Sequence, residues 1–268
     1  MTMNPHTAAA IAQLIFYAPI VPLSIYLLVA NWPNRPRMAW YPPVPFSIVR
    51  LVGAILIIAE EQKPGNIGLI VATIVLLNVG LVPLIIAFLG VVRLVIQSNF
   101  PESKQTTLFI KLIRWNLLIA VALLSASGSF AGQPEHANSQ SILSKVAYFQ
   151  FTAVLVALIA FSWTHYRPSM IKEEDRIYLK WALLASPTLV VRTVYGLISV
   201  FDATGGRILT SMWSPLFGSA TAFALMALLM EYISLCCFLY LSVHRLRTSR
   251  RRVDGEEREL QYQPKYVV

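Results

Sequence analysis

The chain has 268 residues, of which 56% are hydrophobic and only 13% are charged, and its formal net charge is +9. A soluble domain usually has about 25% charged residues, so the composition excludes an ordinary water-soluble protein and indicates an integral membrane protein. The positive charge does not indicate nucleic-acid binding, because the basic residues lie between apolar blocks and in one tail, without interleaved aromatic residues.

Seven apolar stretches are long enough to cross a bilayer, which takes about 20 mostly apolar residues in an α-helix. The second stretch is the shortest, and we expect it to recruit Val44, Pro45 and Glu60. The predicted fold class is therefore all-α, with one seven-helix transmembrane domain over residues 1–244. The stretches cover residues 7–30, 46–59, 67–92, 108–130, 142–163, 178–201 and 216–243.

The loops between these stretches differ in their content of lysine and arginine. Counted along the chain, alternate sides of the membrane have 17 and 3 of these residues, and the remaining two, Arg50 and Arg192, lie within spans. Since positively charged loops stay in the cytosol, we predict that the N-terminus is lumenal or outside and the C-terminus cytosolic.

The C-terminal segment, residues 245–268, is rich in arginine and then in acidic residues. It has no apolar pattern that would form a core, so we predict a disordered cytosolic tail. Its basic part either contacts anionic lipid headgroups or simply fixes the topology.

Two charged residues are predicted at matching depth near the middle of the membrane. Arg192 and Glu231 each lie roughly 18 Å from the cytosolic edge, at a rise of about 1.5 Å per residue, in adjacent spans. They form either a structural ion pair or a pair that lines a substrate cavity. Arg50 is shallower, roughly 6 Å deep, and its long stem reaches either upward or down to the interface.

The sixth span has a one-sided polar stripe. Arg192, Tyr195, Ser199 and Asp202 recur at helical spacing, and Pro187 favours a kink between them and the cytosolic end. A polar stripe on one face of a membrane helix predicts an internal cavity in front of that face.

A second group of acidic residues ends the second and sixth spans on the lumenal side. If the bundle brings Glu60, Glu61 and Asp202 together, two carboxylates share one pocket and one of them retains a proton as a general acid. The alternative is that all three are ordinary solvated loop residues. All four histidines lie outside the spans and the two cysteines are adjacent, so neither a metal site nor another cofactor is expected.

Four segments resemble a group of fungal seven-span integral membrane proteins: SIVRLVGAILII, LNVGLVPLIIAFLG, SPTLVVRTVYGLISVF and ALLMEYI. Some members of that group look like membrane-bound terpene cyclases of meroterpenoid biosynthesis, of the ascofuranone type. The resemblance implies a metal-independent cyclisation in the endoplasmic reticulum membrane. A carboxylic acid protonates the terminal epoxide of a prenyl chain on an aromatic head, and an alkene or internal hydroxyl captures the cation.

On this resemblance, the candidate acids are Glu231, Asp202 and Glu60. Arg192 would hold a carboxylate in place or bind an oxygen of the aromatic head, and aromatic rings would stabilise positive charge. The candidate substrate-binding residues are Arg192, Tyr195, Asn78, Arg50, Tyr17 and Tyr232.

Two other functions stay open. Charges near the midplane also suit a transporter or channel for a small or lipid-like solute, although the sequence has no clear internal repeat. A receptor-like seven-span protein without catalysis is the third possibility.

Overall fold

The structure is a computed structural model that describes residues 4–34, 36–63, 65–100, 104–130, 134–166, 171–202 and 211–262. In these ranges all regular secondary structure is helical. The helices are α1 (Pro5–Ala30), α2 (Pro43–Gln62), α3 (Ile67–Val79), α4 (Leu81–Asn99), α5 (Lys104–Ser129), α6 (Ala137–His165), α7 (Glu173–Asp202), α8 (Ala220–Phe223) and α9 (Met230–Tyr262).

Seven helical stretches are long and apolar enough to cross a membrane, which confirms the predicted all-α fold with seven spans. Helices α3 and α4 together form the third span, and α8 and α9 together form the seventh. With an odd number of spans, the two termini of the bundle lie at opposite ends. We call the end that contains residue 4 the N-terminal end. The opposite end, which contains residues 31–42 and the end of the seventh span, is the basic end.

Polar residues at the N-terminal end begin three of the helices. The Asn4 side chain accepts a hydrogen bond from the backbone N–H of His6, and Pro5 occupies the first helical position, where its missing N–H costs nothing. Asn66 caps α3 and Ser219 caps α8 in the same way. These caps satisfy backbone donors that have no partner inside the helix.

The third span is broken in its middle. Helix α3 ends at Val79, and α4 begins at Leu81 after Gly80. Pro83 has no N–H to donate to the carbonyl of Val79, and its ring clashes with a continuing helix. The last carbonyls of α3 are therefore available to other partners at membrane depth, although the sequence predicts one continuous span over residues 67–92.

The seventh span contains a π-helical turn, Ala224–Leu229, between α8 and α9. A π turn inserts an extra residue into the helical ladder and rotates the residues that follow, and such turns recur at functional sites. Here the turn ends directly before Met230 and Glu231.

Helix α4 forms the centre of the bundle. Most of its residues are buried, and it contacts α2, α5, α6, α7 and α9. At its basic end the helix lies against the short turn Arg37–Ala39, because Gly90 has no side chain: a Cβ there would lie 2.4 Å from the carbonyl oxygen of Met38. The other spans expose large apolar side chains, as expected for surfaces in contact with lipid.

The described part of the tail differs from the prediction. Helix α9 continues to Tyr262, whereas the sequence predicts irregular structure from residue 245. A helix that is already formed extends without a new nucleation cost, and arginine and glutamate are good helix formers. Residues 263–268 lie outside the described ranges.

Candidate functional site

Three charged side chains meet in the middle of the bundle. Arg50 of α2 and Arg192 of α7 both donate hydrogen bonds to Oε1 of Glu231 on α9, and Arg192 Nε lies 2.5 Å from that oxygen. The exposed fractions of the three side chains are 1%, 2% and 0%. We call Arg50, Arg192 and Glu231 the charge cluster. The predicted pairing of Arg192 with Glu231 is present, and Arg50 joins it by reaching inward.

Of the two predicted directions for the Arg50 side chain, the structure shows the upward one. The helix starts at Pro43, one residue before the Val44 that we expected it to recruit, so Arg50 lies about 10 Å along its axis, at about 1.5 Å per residue. Its long side chain covers the remaining distance to Glu231.

The break in the third span supplies a further partner. The carbonyl oxygen of Leu77, in the last turn of α3, accepts a hydrogen bond from Arg50 Nη2 at 3.2 Å and one from Arg192 Nη2 at 3.1 Å. The C-terminal end of a helix carries a partial negative charge. The end of α3 therefore adds to Glu231 in stabilising the two cations.

Aromatic rings and a glycine complete the surroundings of the arginines. The guanidinium of Arg50 lies 5.7 Å from the centre of the Phe46 ring, and that of Arg192 lies 5.9 Å from the Tyr195 ring, both within cation–π range. Gly80 gives Arg50 its space, since a Cβ there would lie 2.6 Å from Arg50 Nη2.

The charge cluster is unbalanced. Two guanidiniums share one carboxylate, so the three side chains together carry one net positive charge. Within the described ranges, Nε and Nη1 of Arg50, Nη1 of Arg192 and Oε2 of Glu231 are buried without a hydrogen-bond partner. Buried charged groups are costly unless they are paired and hydrogen-bonded. The cluster is therefore equipped to bind an additional anionic or polar group.

A polar connection links the charge cluster to the N-terminal end. The hydroxyl of Tyr148 on α6 interacts with Arg192 and donates a hydrogen bond to Asn78 Oδ1 at 2.6 Å. The amide of Asn78 donates to the carbonyl of Ile74 at 2.9 Å. Tyr148 packs closely on Gly196, where a Cβ would lie 2.1 Å from its ring.

Asn78 also lines a small cavity that lies toward the N-terminal end, which we call the serine cavity. Its volume is about 80 Å³, which is the space of two or three waters at about 30 Å³ each. It is too small for a prenyl chain with an aromatic head, because sites for such ligands measure about 300–1,000 Å³. The lining includes Asn78, Gln140, Ser141, Ser144, Ser199, Ser211 and Ser214.

The structure does not gather the three predicted lumenal acids, so that expectation is corrected. Glu60 and Glu61 line a separate cavity of about 230 Å³ beside the start of α1, where the hydroxyl of Thr7 donates to Glu61. Asp202 instead accepts a hydrogen bond from Ser211. The reason is that α2 ends against α1, whereas Asp202 is bonded to the segment that leads into the seventh span.

The polar stripe of the sixth span is only partly internal. Arg192, Tyr195 and Ser199 are buried, but Asp202 is exposed, so the predicted stripe ends one turn earlier than expected. Tyr195 contacts the cluster through its ring, and its hydroxyl donates to the carbonyl of Trp213 at 3.2 Å.

The remaining aromatic candidates contact one another. Tyr17 makes edge-to-face contacts with Phe46 and Tyr232, at ring-centre distances of 5.9 and 5.8 Å. This arrangement anchors α1 against α2 and α9. It brings Tyr17 and Tyr232 to the side of the cluster where Phe46 covers Arg50.

Sequence reasoning missed three participants. Tyr148 lies in the fifth span among other apolar and aromatic residues, and nothing near it marks it as polar in function. The Leu77 carbonyl is backbone, although Gly80 and Pro83 do signal that a helix ends there. Gln13, whose amide donates to the Arg50 carbonyl at 2.5 Å, is a polar residue inside the first apolar stretch, and that position is a second signal that the sequence offers.

Comparisons with known proteins give one match. The model of a family described as "Domain of unknown function (DUF7702)" matches residues 3–248, nearly the whole chain, so the chain belongs to that family. No curated protein and no solved structure matches significantly.

Proposed function

We propose that this member of the DUF7702 family is a carrier for a small anionic solute, which enters from the N-terminal end and binds at the charge cluster. The observation that carries the proposal is the unbalanced cluster itself: one net positive charge, with two buried donors of Arg50 still unpartnered among the described residues. Ionisable groups in the membrane interior are rare and mark solute pathways.

Two interrupted helices next to the cluster support a carrier. Secondary transporters bind their substrates near the midplane, where discontinuous helices present backbone groups. Here α3 ends beside the cluster and offers the Leu77 carbonyl, and the π turn Ala224–Leu229 immediately precedes α9. Such breaks provide the conformational freedom that alternating access requires.

The size and polarity of the proposed route, from the N-terminal end through the serine cavity to the charge cluster, limit which solutes can bind. The serine cavity of about 80 Å³ and the Asn78–Tyr148 connection offer hydroxyl and amide groups but no carboxylate of their own. An anion of few atoms fits this path and balances the charge of the two arginines. Chloride, nitrate, inorganic phosphate and lactate are suitable probes.

The test is uptake into proteoliposomes that contain the purified protein. We expect uptake of at least one of the four anions above that of empty liposomes, with a reduction of about fivefold in Tyr148→Phe, the factor that corresponds to one hydrogen bond of about 1 kcal/mol. Tyr240→Phe is the matched control, since Tyr240 is exposed and stacks on Trp181, and it should transport normally. Absence of uptake of all four anions by the folded protein would overturn the proposal.

A membrane-bound terpene cyclase is the second candidate. One observation favours it: Glu60 is half-buried beside the apolar residues Ile57, Leu216 and Phe217, in a cavity of about 230 Å³ that would have to enlarge to hold a prenyl chain with an aromatic head. Glu231 does not suit the role of acid, because its Oε1 already accepts hydrogen bonds from both arginines and its side chain is fully buried between them.

The cyclase candidate has its own test. Membranes that contain the protein are incubated with an epoxyfarnesyl phenol, and products are searched for a cyclised isomer of equal mass. Glu60→Gln should abolish its formation, and Glu173→Gln, a change of an exposed carboxylate at the basic end, should not. If the wild-type membranes form no isomer, the cyclase candidate is excluded. Localisation in the endoplasmic reticulum belongs to this candidate and is tested by fractionation.

A further inference from the structure

A cavity that does not include the charge cluster lies at the basic end. It has a volume of about 600 Å³ and opens between α4, α5 and the turn that begins at Arg37. We call it the arginine groove, after the three arginines in its lining. The lining residues are Pro36, Arg37, Met38, Tyr41, Val82, Ile86, Arg93, Gln97, Arg114, Leu117, Leu118 and Val121.

The groove is polar at one end and apolar at the other. Arg93 and Gln97 lie on the part of α4 nearest the basic end, whereas Val82 and Ile86 lie about 16 Å deeper on average, at about 1.5 Å per residue. On α5, Arg114 precedes Leu117, Leu118 and Val121 in the same direction. This gradient matches a molecule with an anionic head at the membrane surface and an apolar chain in the bilayer.

Among the described residues, the three arginines have no carboxylate partner and can bind an anion. Their groove has no aspartate or glutamate in its described lining, and the described ion pairs involve neither Arg93 nor Arg114. Arg37 is held in place, since its guanidinium stacks on Trp32 at 4.3 Å and Nε donates to the Trp32 carbonyl at 3.3 Å. Its terminal nitrogens stay available.

The groove is also open to lipid. Leu118 has an exposed fraction of 60%, so the apolar wall continues onto the outer surface of the bundle. A water-soluble anion would use only the arginine end. A lipid uses both ends, and basic pockets between transmembrane helices at the cytosolic surface are suited to anionic headgroups.

We infer that the arginine groove binds one anionic phospholipid, with its phosphate between Arg37, Arg93 and Arg114 and one acyl chain along Val82, Ile86, Leu117, Leu118 and Val121. This inference is independent of the proposed function, since it concerns another site. It requires that the basic end is cytosolic, where anionic lipids are enriched, as the distribution of basic residues predicts.

The experiment measures lipid retention by the full chain in nanodiscs made from a 4:1 mixture of phosphatidylcholine and phosphatidic acid. Lipids that stay bound after exchange into detergent are identified by native mass spectrometry. The wild-type protein should retain phosphatidic acid in preference to phosphatidylcholine. The double variant Arg93→Gln with Arg114→Gln should weaken this retention roughly 30-fold, at about one factor of five per basic residue near the surface.

A matched variant removes the same charge from the same end without touching the groove. Lys111 and Arg247 are exposed and do not line the groove, so Lys111→Gln with Arg247→Gln should retain phosphatidic acid as the wild type does. Equal loss in both double variants would show that only the general positive charge of this end matters, and the inference would be overturned.

A third variant separates a lipid from a free phosphate. Val121→Trp fills the apolar part of the groove and leaves the arginines unchanged, so it should lower retention of phosphatidic acid. Glycerol 3-phosphate should still compete with the lipid that is retained, as it does in the wild type. If Val121→Trp retains the lipid normally in a protein with a wild-type unfolding temperature, the acyl chain lies elsewhere and the inference fails.

Discussion

The charge cluster and the arginine groove use the same residue type in opposite ways. In the cluster, Arg50 and Arg192 are at most 2% exposed and depend on one carboxylate and one backbone carbonyl. In the groove, Arg93 is half-buried and Arg37 and Arg114 are exposed. Buried arginines require specific partners because desolvation of each charge costs several kcal/mol. Arginines near the headgroups require none, since water and lipid phosphates solvate them.

Removal of Glu231 should destabilise the protein more than any other change to the two regions. Glu231→Gln leaves two buried guanidiniums without a counter-charge, and loss of one partner of a buried ion pair destabilises a protein by about 3–5 kcal/mol. We expect little folded protein, measured as the monodisperse fraction in fluorescence-detected size-exclusion chromatography. The triple variant Arg50→Met, Arg192→Met and Glu231→Leu removes all three charges and should recover much of that fraction. A single variant as stable as the wild type would contradict the role of Glu231 as counter-charge.

Displacement of Arg50 without any change of charge should have the next largest effect. In Gly80→Ala, the new Cβ would lie 2.6 Å from Arg50 Nη2, so the guanidinium must shift away from Glu231 and Leu77. Overpacking of this kind costs about 1–3 kcal/mol, measured by thermal unfolding in detergent. Gly53→Ala is the control, because the nearest atom is 3.8 Å away, and it should unfold at or above the wild-type temperature.

Loss of the Tyr148 hydroxyl tests whether this side chain contributes more to solute binding than to the stability of the fold. Tyr148→Phe removes the donor to Asn78 Oδ1 and leaves a partly buried acceptor, with an expected cost of about 1 kcal/mol in unfolding free energy. The fold should persist, so the variant can be compared with the wild type in the uptake assay. An unchanged unfolding temperature would mean that water replaces the hydroxyl.

Removal of two groove arginines should have the smallest effect on stability. In nanodiscs of phosphatidylcholine alone, Arg93→Gln with Arg114→Gln should shift the unfolding free energy by no more than about 0.5 kcal/mol per site, as for ordinary surface substitutions. Thermal unfolding in the same nanodiscs checks this. A loss as large as that of Glu231→Gln would show that the groove arginines have structural partners, and the contrast between the two regions would disappear.

Much of the architecture could be predicted from the sequence, because membrane insertion depends on local hydrophobicity. Seven stretches of about 20 apolar residues lead to seven spans whatever their contacts, since each helix satisfies its own backbone hydrogen bonds. The pairing of Arg192 with Glu231 followed from matching depth in consecutive spans. The depth of Arg50 alone left two directions open for its side chain, and only its contacts with Glu231 and Leu77 decide between them.

Other features depended on contacts between distant residues and were not predictable. The separation of Asp202 from Glu60 and Glu61 depends on which helix ends lie side by side, and span order does not determine this. Tyr148 approaches Arg192 only because Gly196 of α7 leaves space for its ring. The arginine groove forms between α4, α5 and the turn that begins at Arg37, which are brought together only by the tertiary structure.

The sequence by itself determined the fold class, the number of spans and the residues that must avoid lipid, because the bilayer acts on each segment separately. Only the tertiary structure decided that one carboxylate accepts hydrogen bonds from two arginines, that a backbone carbonyl at the end of a broken helix accepts from both as well, and that three other arginines share a groove. These depend on which helix faces meet, and that is settled by side-chain packing across the whole bundle.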